Sequence, residues 1–217
     1  MPTVARVTMH RRRSPRSVVV VYGSLVPDSV RIELGSAELA QPLVDQIGEL
    51  YDEVFSVPPY FWREDESELH RERLRRLLED PSFGIVVAWA GDELVGFAYG
   101  FTVPPDTKRW SNLTEPAPAE LTEERPGRTF LLFDFAVRAT YRGKGIGRTL
   151  HDALLGSRNE ERASLSVEPP AVDTKQIYER WGWRKVAQSR GGPTAAAPVF
   201  DVYVRDSLDD LRAQVKP

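Results

Sequence analysis

Cysteine is missing from this chain altogether, which excludes disulfides, thiolate metal sites and cysteine nucleophiles in one step. Histidine is almost as scarce. His10, His70 and His151 are too scattered to suggest a metal centre, and none is expected. No apolar run approaches the ~20 residues of a membrane span, so no membrane partner is expected. The formal net charge of -3 provides no overall basic field for nucleic acid. The expectation from these absences is a cytoplasmic protein with no nucleic-acid, membrane or metal partner.

What remains is 217 residues with 41% hydrophobic content, enough for one domain with a proper core. Residues 1–27 carry Arg6, Arg11, Arg12, Arg13 and Arg16 and no acid, and Val18–Val21 is too short for a signal-peptide core. Residues 1–29 are expected to be a flexible basic leader, 30–206 a single domain, and 207–217 a C-terminal tail.

Along the domain the hydrophobic period alternates between two and 3.6. Val30–Leu34 alternates as a strand. Ser36 can cap a helix in which Leu39, Leu43, Ile47, Leu50 and Val54 form one stripe over Ala37–Phe55, ended by Val57-Pro58-Pro59. A second helix runs from about Ser67 to Leu78, with His70 read as a surface residue among its charges. Ile85–Ala90 and Leu94–Val103 form a hairpin about Gly91-Asp92. Residues 104–127 are a long polar loop, a length more often functional or disordered than idle. Phe130–Val137 is a strand, Arg148–Glu161 a helical run with His151 toward solvent, Ala163–Val167 a buried strand, and Asp173–Arg180 a short helix closed by Gly182. Arg184–Gln188 and Val199–Arg205 form a last strand pair.

The segment Arg142-Gly143-Lys144-Gly145-Ile146-Gly147-Arg148 joins the strand Phe130–Val137 to the helical run. Glycines at alternate positions let the backbone approach a bulky ligand. The following helix start offers unpaired N–H groups and a positive dipole end, so strand, loop and helix describe a cradle for a pyrophosphate. The spacing is neither a Walker A loop nor G-x-G-x-x-G. It reads as Arg142-x-x-Gly145-x-Gly147. The residues alone leave open an ordinary glycine-rich turn or another nucleotide-phosphate loop.

That segment resembles the acetyl-CoA loop of the GNAT N-acetyltransferase superfamily. Ile177-Tyr178-Glu179-Arg180-Trp181-Gly182-Trp183 is similar to the superfamily's Tyr-Glu-x-x-Gly-Phe segment. The order β-α-α-β-β-(loop)-β-α-β-α-β-β over roughly residues 30–205 is compatible with both. The resemblance implies an α/β (α+β) fold with a mixed, mostly antiparallel central sheet of six to seven strands flanked by helices. One departure is Ala171, which stands where many relatives carry an Asn that contacts the cofactor.

By resemblance, the protein is an N-acetyltransferase moving an acetyl group from acetyl-CoA to a primary amine of a small molecule or peptide in a ternary complex. The alternative is a non-catalytic acyl-CoA sensor on the same fold. The resemblance places the pantetheine arm against the backbone of Ala136 and Val137. It places the pyrophosphate on the N–H groups of Arg142, Gly143, Lys144, Gly145, Ile146 and Gly147, with Arg148 adding charge. A free alkylamine is protonated at neutral pH, with a pKa near ~10.4, so a base is needed. Asp134, the only charged residue in Phe130–Val137, is the candidate; burial between Phe133 and Phe135 is expected to raise its pKa. Tyr178 is the matching proton donor to the departing thiolate. Tyr60, Phe61, Trp62 and Trp110 are candidate walls of the acceptor pocket. A homodimer through the last strands, Val199–Arg205 included, is a further expectation of the resemblance.

Overall fold

The structure, a computed structural model, describes residues 18–19 and 30–215. An eight-stranded sheet runs in the order β1-β2-β3-β4-β5-β6-β8-β7. Its strands are β1 (Val18–Val19), β2 (Val30–Gly35), β3 (Gly84–Ala90), β4 (Glu93–Thr102), β5 (Thr129–Val137), β6 (Arg162–Val167), β7 (Arg184–Arg190) and β8 (Val199–Arg205). The first is a two-residue edge paired with Leu34 and Glu33; the other seven form the mostly antiparallel sheet expected. The rest of the expected leader lies outside the described residues. Among the described strands only β5 and β6 run parallel, because a helical crossover, α5 (Ile146–Gly156), joins them.

Strand alternation sends side chains to two faces. Phe130, Leu132, Leu165 and Tyr203 pack with Ile146, Leu150 and Leu154 of α5 and with Tyr178 of α6 (Val172–Arg180). Leu208 and Leu211 join this core. Within the segment expected to be a tail, Asp209–Val215 therefore form a helix, α7, with Leu211 in it and Leu208 just before it fully buried. On the opposite face Ile85, Val87, Phe97 and Tyr99 meet Ile47, Leu50 and Leu74.

The helices of that second face depart from the sequence expectation in one place. The stripe over 37–55 is broken into α1 (Ala37–Ala40), a 3-10 turn at Gln41–Leu43 and α2 (Val44–Phe55). Pro42 lies at the break, and a proline can neither donate to an α-helical ladder nor clear the preceding carbonyl. Ser36 occupies the N-cap position without a side-chain cap bond. The second helix is α3 (Glu66–Leu77).

The long connection 104–127 is not structureless. It holds a 3-10 turn at Arg109–Asn112 and the short α4 (Ala119–Thr122). Trp110 packs on Val202 and Val204 and donates its indole N–H to Glu124 at 3.0 Å. Strand β8 pairs with β6 on one side and β7 on the other. Both edges of β8 are thus occupied over Asp201–Val204, against the expected pairing of that strand with a second copy, and β7 is the last strand of the sheet. Among the described residues no helix is long and apolar enough to cross a membrane.

Candidate active site

The site begins where a strand pair comes apart. β5 and β6 are paired only at Thr129–Arg162, Phe130–Ala163 and Leu131–Ser164. Beyond Leu131 the two strands diverge, and the edge of β5 from residue 132 onward has no ladder partner on that side. On its other side β5 follows β4 to Val137, with one irregularity: Tyr99 faces Asp134 but Gly100 faces Leu132, so Phe133 is an extra residue. A bulge of this kind bends a strand and re-aims its side chains. The result is a wedge with unpaired backbone on one wall.

The glycine segment stands at the far end of β5. Gly143 and Gly145 have φ of 75° and 82°, and Gly145 is the N-cap of α5. A side chain in that left-handed region costs about 1–2 kcal/mol, which is why glycine suits both positions. Among the described residues no hydrogen-bond partner meets the backbone N–H groups of residues 143–148, whereas that of Thr149 reaches Gly145 O at 3.0 Å. Six donors at a helix start suit an oxyanion such as a phosphate. Arg142 stands apart from this set: its N–H goes to Ala139 O at 3.2 Å and its Nε–H to Val137 O at 2.9 Å. Lys144 lies over the Tyr141 ring and Arg148 over that of Trp181, the latter also pairing with Asp152.

The helix begins at Ile146, two residues earlier than expected, and ends at Gly156. His151, expected toward solvent, is fully buried. Trp183 Nε1–H donates to its Nε2 at 2.9 Å, and Nδ1 meets Asp152 at 2.7 Å. With Nε2 accepting, the proton sits on Nδ1 and the ring is neutral. Burial lowers the imidazole pKa, and Asp152 only partly offsets it. The expectation failed because α5 is covered on several sides: α7 packs on it, and Trp181 and Trp183 stand against His151.

Tyr178 is buried between Phe135, Trp181 and Trp183. Its hydroxyl has no hydrogen-bond partner among the described residues, and the residue lines the cleft between the diverged strands. Burial pushes its phenol pKa upward, with Tyr60 and Asp134 adding in the same direction. It therefore holds its proton well into the alkaline range.

Asp134 projects to the opposite face. Tyr99 donates its hydroxyl to Asp134 Oδ2, and His70 Nε2 lies 3.2 Å from that hydroxyl and 3.5 Å from the same carboxylate oxygen. The Tyr51 ring stacks on His70 with centroids 3.7 Å apart. Tyr51 in turn donates to the buried Glu66 at 3.0 Å, which Arg73 also holds at 2.6 Å. Burial alone would raise the Asp134 pKa, but His70, Tyr99 and Arg73 outweigh it and hold the carboxyl below its ordinary value. The expected upward shift is thus reversed. His70 is not a surface residue either: it is fully buried beneath Tyr51 and against Tyr99. Glu66, His70 and Arg73 share one face of α3, a polar face at helical spacing that reads as solvated in one dimension.

The cleft encloses about 420 Å³. Of the four aromatic candidates only Tyr60 lines it, its hydroxyl 3.1 Å from Thr174 Oγ1. Trp62 packs in the core beside α2, Trp110 packs on β8, and Phe61 is exposed. The Phe61 N–H, however, donates at 2.7 Å to Glu168, a cleft residue that sequence reasoning missed. Glu168 is half-buried at the end of β6, and burial pushes its pKa up, with Glu66 adding to the effect and the Phe61 N–H opposing it. Its signal in sequence was a lone acid directly after a buried strand. Among the described residues no group of three His, Cys, Asp or Glu is gathered as for a metal.

A mostly antiparallel sheet whose single parallel pair opens into a wedge, with a glycine-capped helix start beside it, has the architecture of an acyl-CoA N-acyltransferase fold. The acetyltransferase (GNAT) family profile matches residues 45–183, more than half of the chain, and the chain belongs to that family. Solved structures agree on the fold. An aminoglycoside 6'-acetyltransferase type Ii superposes with a TM-score of 0.56 at 17% identity, covering 82% of this chain and 96% of the other. The ribosomal-protein-S18-alanine N-acetyltransferase from Escherichia coli gives 0.54 at 15% identity, covering 80% and 92%. Naa50 from Arabidopsis thaliana, in complex with the bisubstrate analogue CoA-Ac-MVNAL, gives 0.50 at 17% identity, covering 80% and 97%. No curated protein sequence matches the chain.

Proposed function

We propose that this protein transfers an acetyl group from acetyl-CoA to a primary amine, directly and in a ternary complex. The observation that carries the reading is the pairing of two unsatisfied backbone surfaces: the bare edge of β5 beyond Leu131 and the six free N–H groups at residues 143–148. The first suits the amide-bearing pantetheine arm, which adds to Phe135, Ala136 and Val137 as a strand would. The second suits the diphosphate. Gly143, Lys144, Gly145, Ile146, Gly147 and Arg148 hold that group through main-chain donors. Arg142 instead braces the end of β5, and the cations contribute modestly as screened charges. Once bound, acetyl-CoA supplies an acyl group on a good leaving sulfur.

The chain's own residues handle the protons. The acceptor arrives as an ammonium ion, and Asp134, held ionised by Tyr99 and His70, attracts and orients it. Glu168, with its raised pKa and cleft position, takes the amine proton directly or through water. Tyr178, on the other wall, returns a proton to the sulfur. No cysteine exists to carry the acetyl group, which supports direct transfer. The test is calorimetry with acetyl-CoA, followed by thiol release with a panel of primary amines. Binding and amine-dependent release are expected. Binding with no turnover on any amine would leave a coenzyme-binding module, and no binding would remove the reading.

A further inference from the structure

Arg109 enters the cleft from the long connection and is not used in the proton chemistry above. Its guanidinium lies across β6, donating to Ser164 Oγ at 2.9 Å and Ser166 Oγ at 3.2 Å, with the Trp110 ring 5.4 Å away. These partners are neutral. Among the described residues no carboxylate lies within ion-pair distance of it, and its Nε is buried without any partner. Its neighbour Arg162 is treated differently, with Glu124 at 2.9 Å. Burial lowers the Arg109 pKa to about 10, Glu124 opposing and Arg162 adding to the effect. A half-buried cation whose Nε is buried and unpartnered, with no anion beside it, is costly, and this one lines the cleft. Arg190 lines the same end, its guanidinium held only by Leu113 O at 3.4 Å.

The other end of that cleft is acidic. Ser164, under the Arg109 guanidinium, pairs with Leu131, and Asp134 lies three residues further along β5. Ser164 and Ser166 alternate along β6 with Ala163, Leu165 and Val167 of the first core, so the guanidinium above them lies on the same face of the sheet as Asp134. Arg109, Asp134 and Glu168 line one cleft of about 420 Å³, a space suited to a small zwitterion.

We propose that the acceptor carries a carboxylate beside its amine, as a free α-amino acid or short ω-amino acid does, and that Arg109, assisted by Arg190, binds the carboxylate. This rests on the acetyltransferase reading. The guanidinium fork meets a carboxylate through two donors, and the same contact turns the ammonium toward Asp134 and Glu168.

The experiment compares acetyl-CoA-dependent thiol release for amino acids, β-alanine and γ-aminobutyrate with release for their carboxamides. In the wild type the acids are expected to exceed the carboxamides at least tenfold in kcat/KM. Arg109→Gln is expected to raise KM for the acids at least tenfold with kcat little changed. It costs the carboxamides, which lose a neutral hydrogen bond and no charge pair, far less than the acids, and Arg109→Lys recovers part of the loss. Equal use of acids and carboxamides by the wild type overturns the proposal, as does an equal loss on both in Arg109→Gln. So does turnover of neutral amines alone. A wild-type protein that fails to bind acetyl-CoA instead removes the acetyltransferase reading beneath it.

Discussion

The three polar residues of the proposed chemistry differ in how much their neighbours change them. Asp134 is surrounded by apolar sequence, so burial was legible. The partners that hold it ionised were not, since Tyr99 comes from β4 and His70 from α3. Glu168 has only a backbone N–H to offset burial, and its pKa rises above the ordinary 4.5. These directions separate two variants. Glu168→Gln is expected to lower kcat/KM by about 100-fold and to abolish the acid limb of the pH–rate profile, which lies above 4.5. Asp134→Asn is expected to raise KM for the amine about tenfold or more and to leave that limb in place. Should Asp134→Asn erase the limb while Glu168→Gln keeps it, the two roles are exchanged. Tyr178→Phe is expected to cost only about tenfold in kcat, because a thiol ionises near ~8.5 and leaves without much help. Single-turnover rates at pH 7 and pH 9 check it, with the deficit shrinking at the higher pH.

At the scale of elements, α5 joins the donor loop to the core. Gly145→Val places a β-branched side chain at a φ of 82°, a region costing about 1–2 kcal/mol for an L-residue. Acetyl-CoA affinity is expected to fall at least tenfold by calorimetry, with the fold retained by circular dichroism. The loop and its helix were readable because glycine spacing and a helix start are local chemistry. The sequence pattern could not show that α5 is wrapped, so His151 looked exposed. Its neutral ring, bonded to Trp183, has a folded pKa below 6.5. Above pH 6.5 both folded and unfolded chains carry it neutral, and it adds no pH dependence. As pH falls through 6.5 the unfolded chain takes up a proton first, so stability declines toward the folded pKa. Melting temperature is expected to drop between pH 7 and pH 5.5, and His151→Gln to flatten that slope. An unchanged slope would assign it to other groups.

Across the molecule, two large cores hold the sheet from opposite faces, a small third cluster forms around Trp110, and the wedge opens between β5 and β6. Tyr178 belongs to the first core and Asp134 to the second face, so donor and acceptor chemistry approach the wedge from different sides of one sheet. The connection 104–127 then closes the acceptor end with Arg109. The main strands and helices from β2 to β8, the hairpin at Gly91-Asp92 and the glycine loop follow from period, turn residues and spacing, because each depends on atoms a few residues apart; α4 and α7 do not. The broken helix at Pro42 was equally local and readable in principle. His70 beside Asp134, Glu168 beneath Phe61, and a guanidinium left without an anion depend on segments tens of residues apart meeting across the sheet. No pattern along one chain encodes such meetings, since polar side chains turned toward a cleft have the same composition and spacing as those turned toward water.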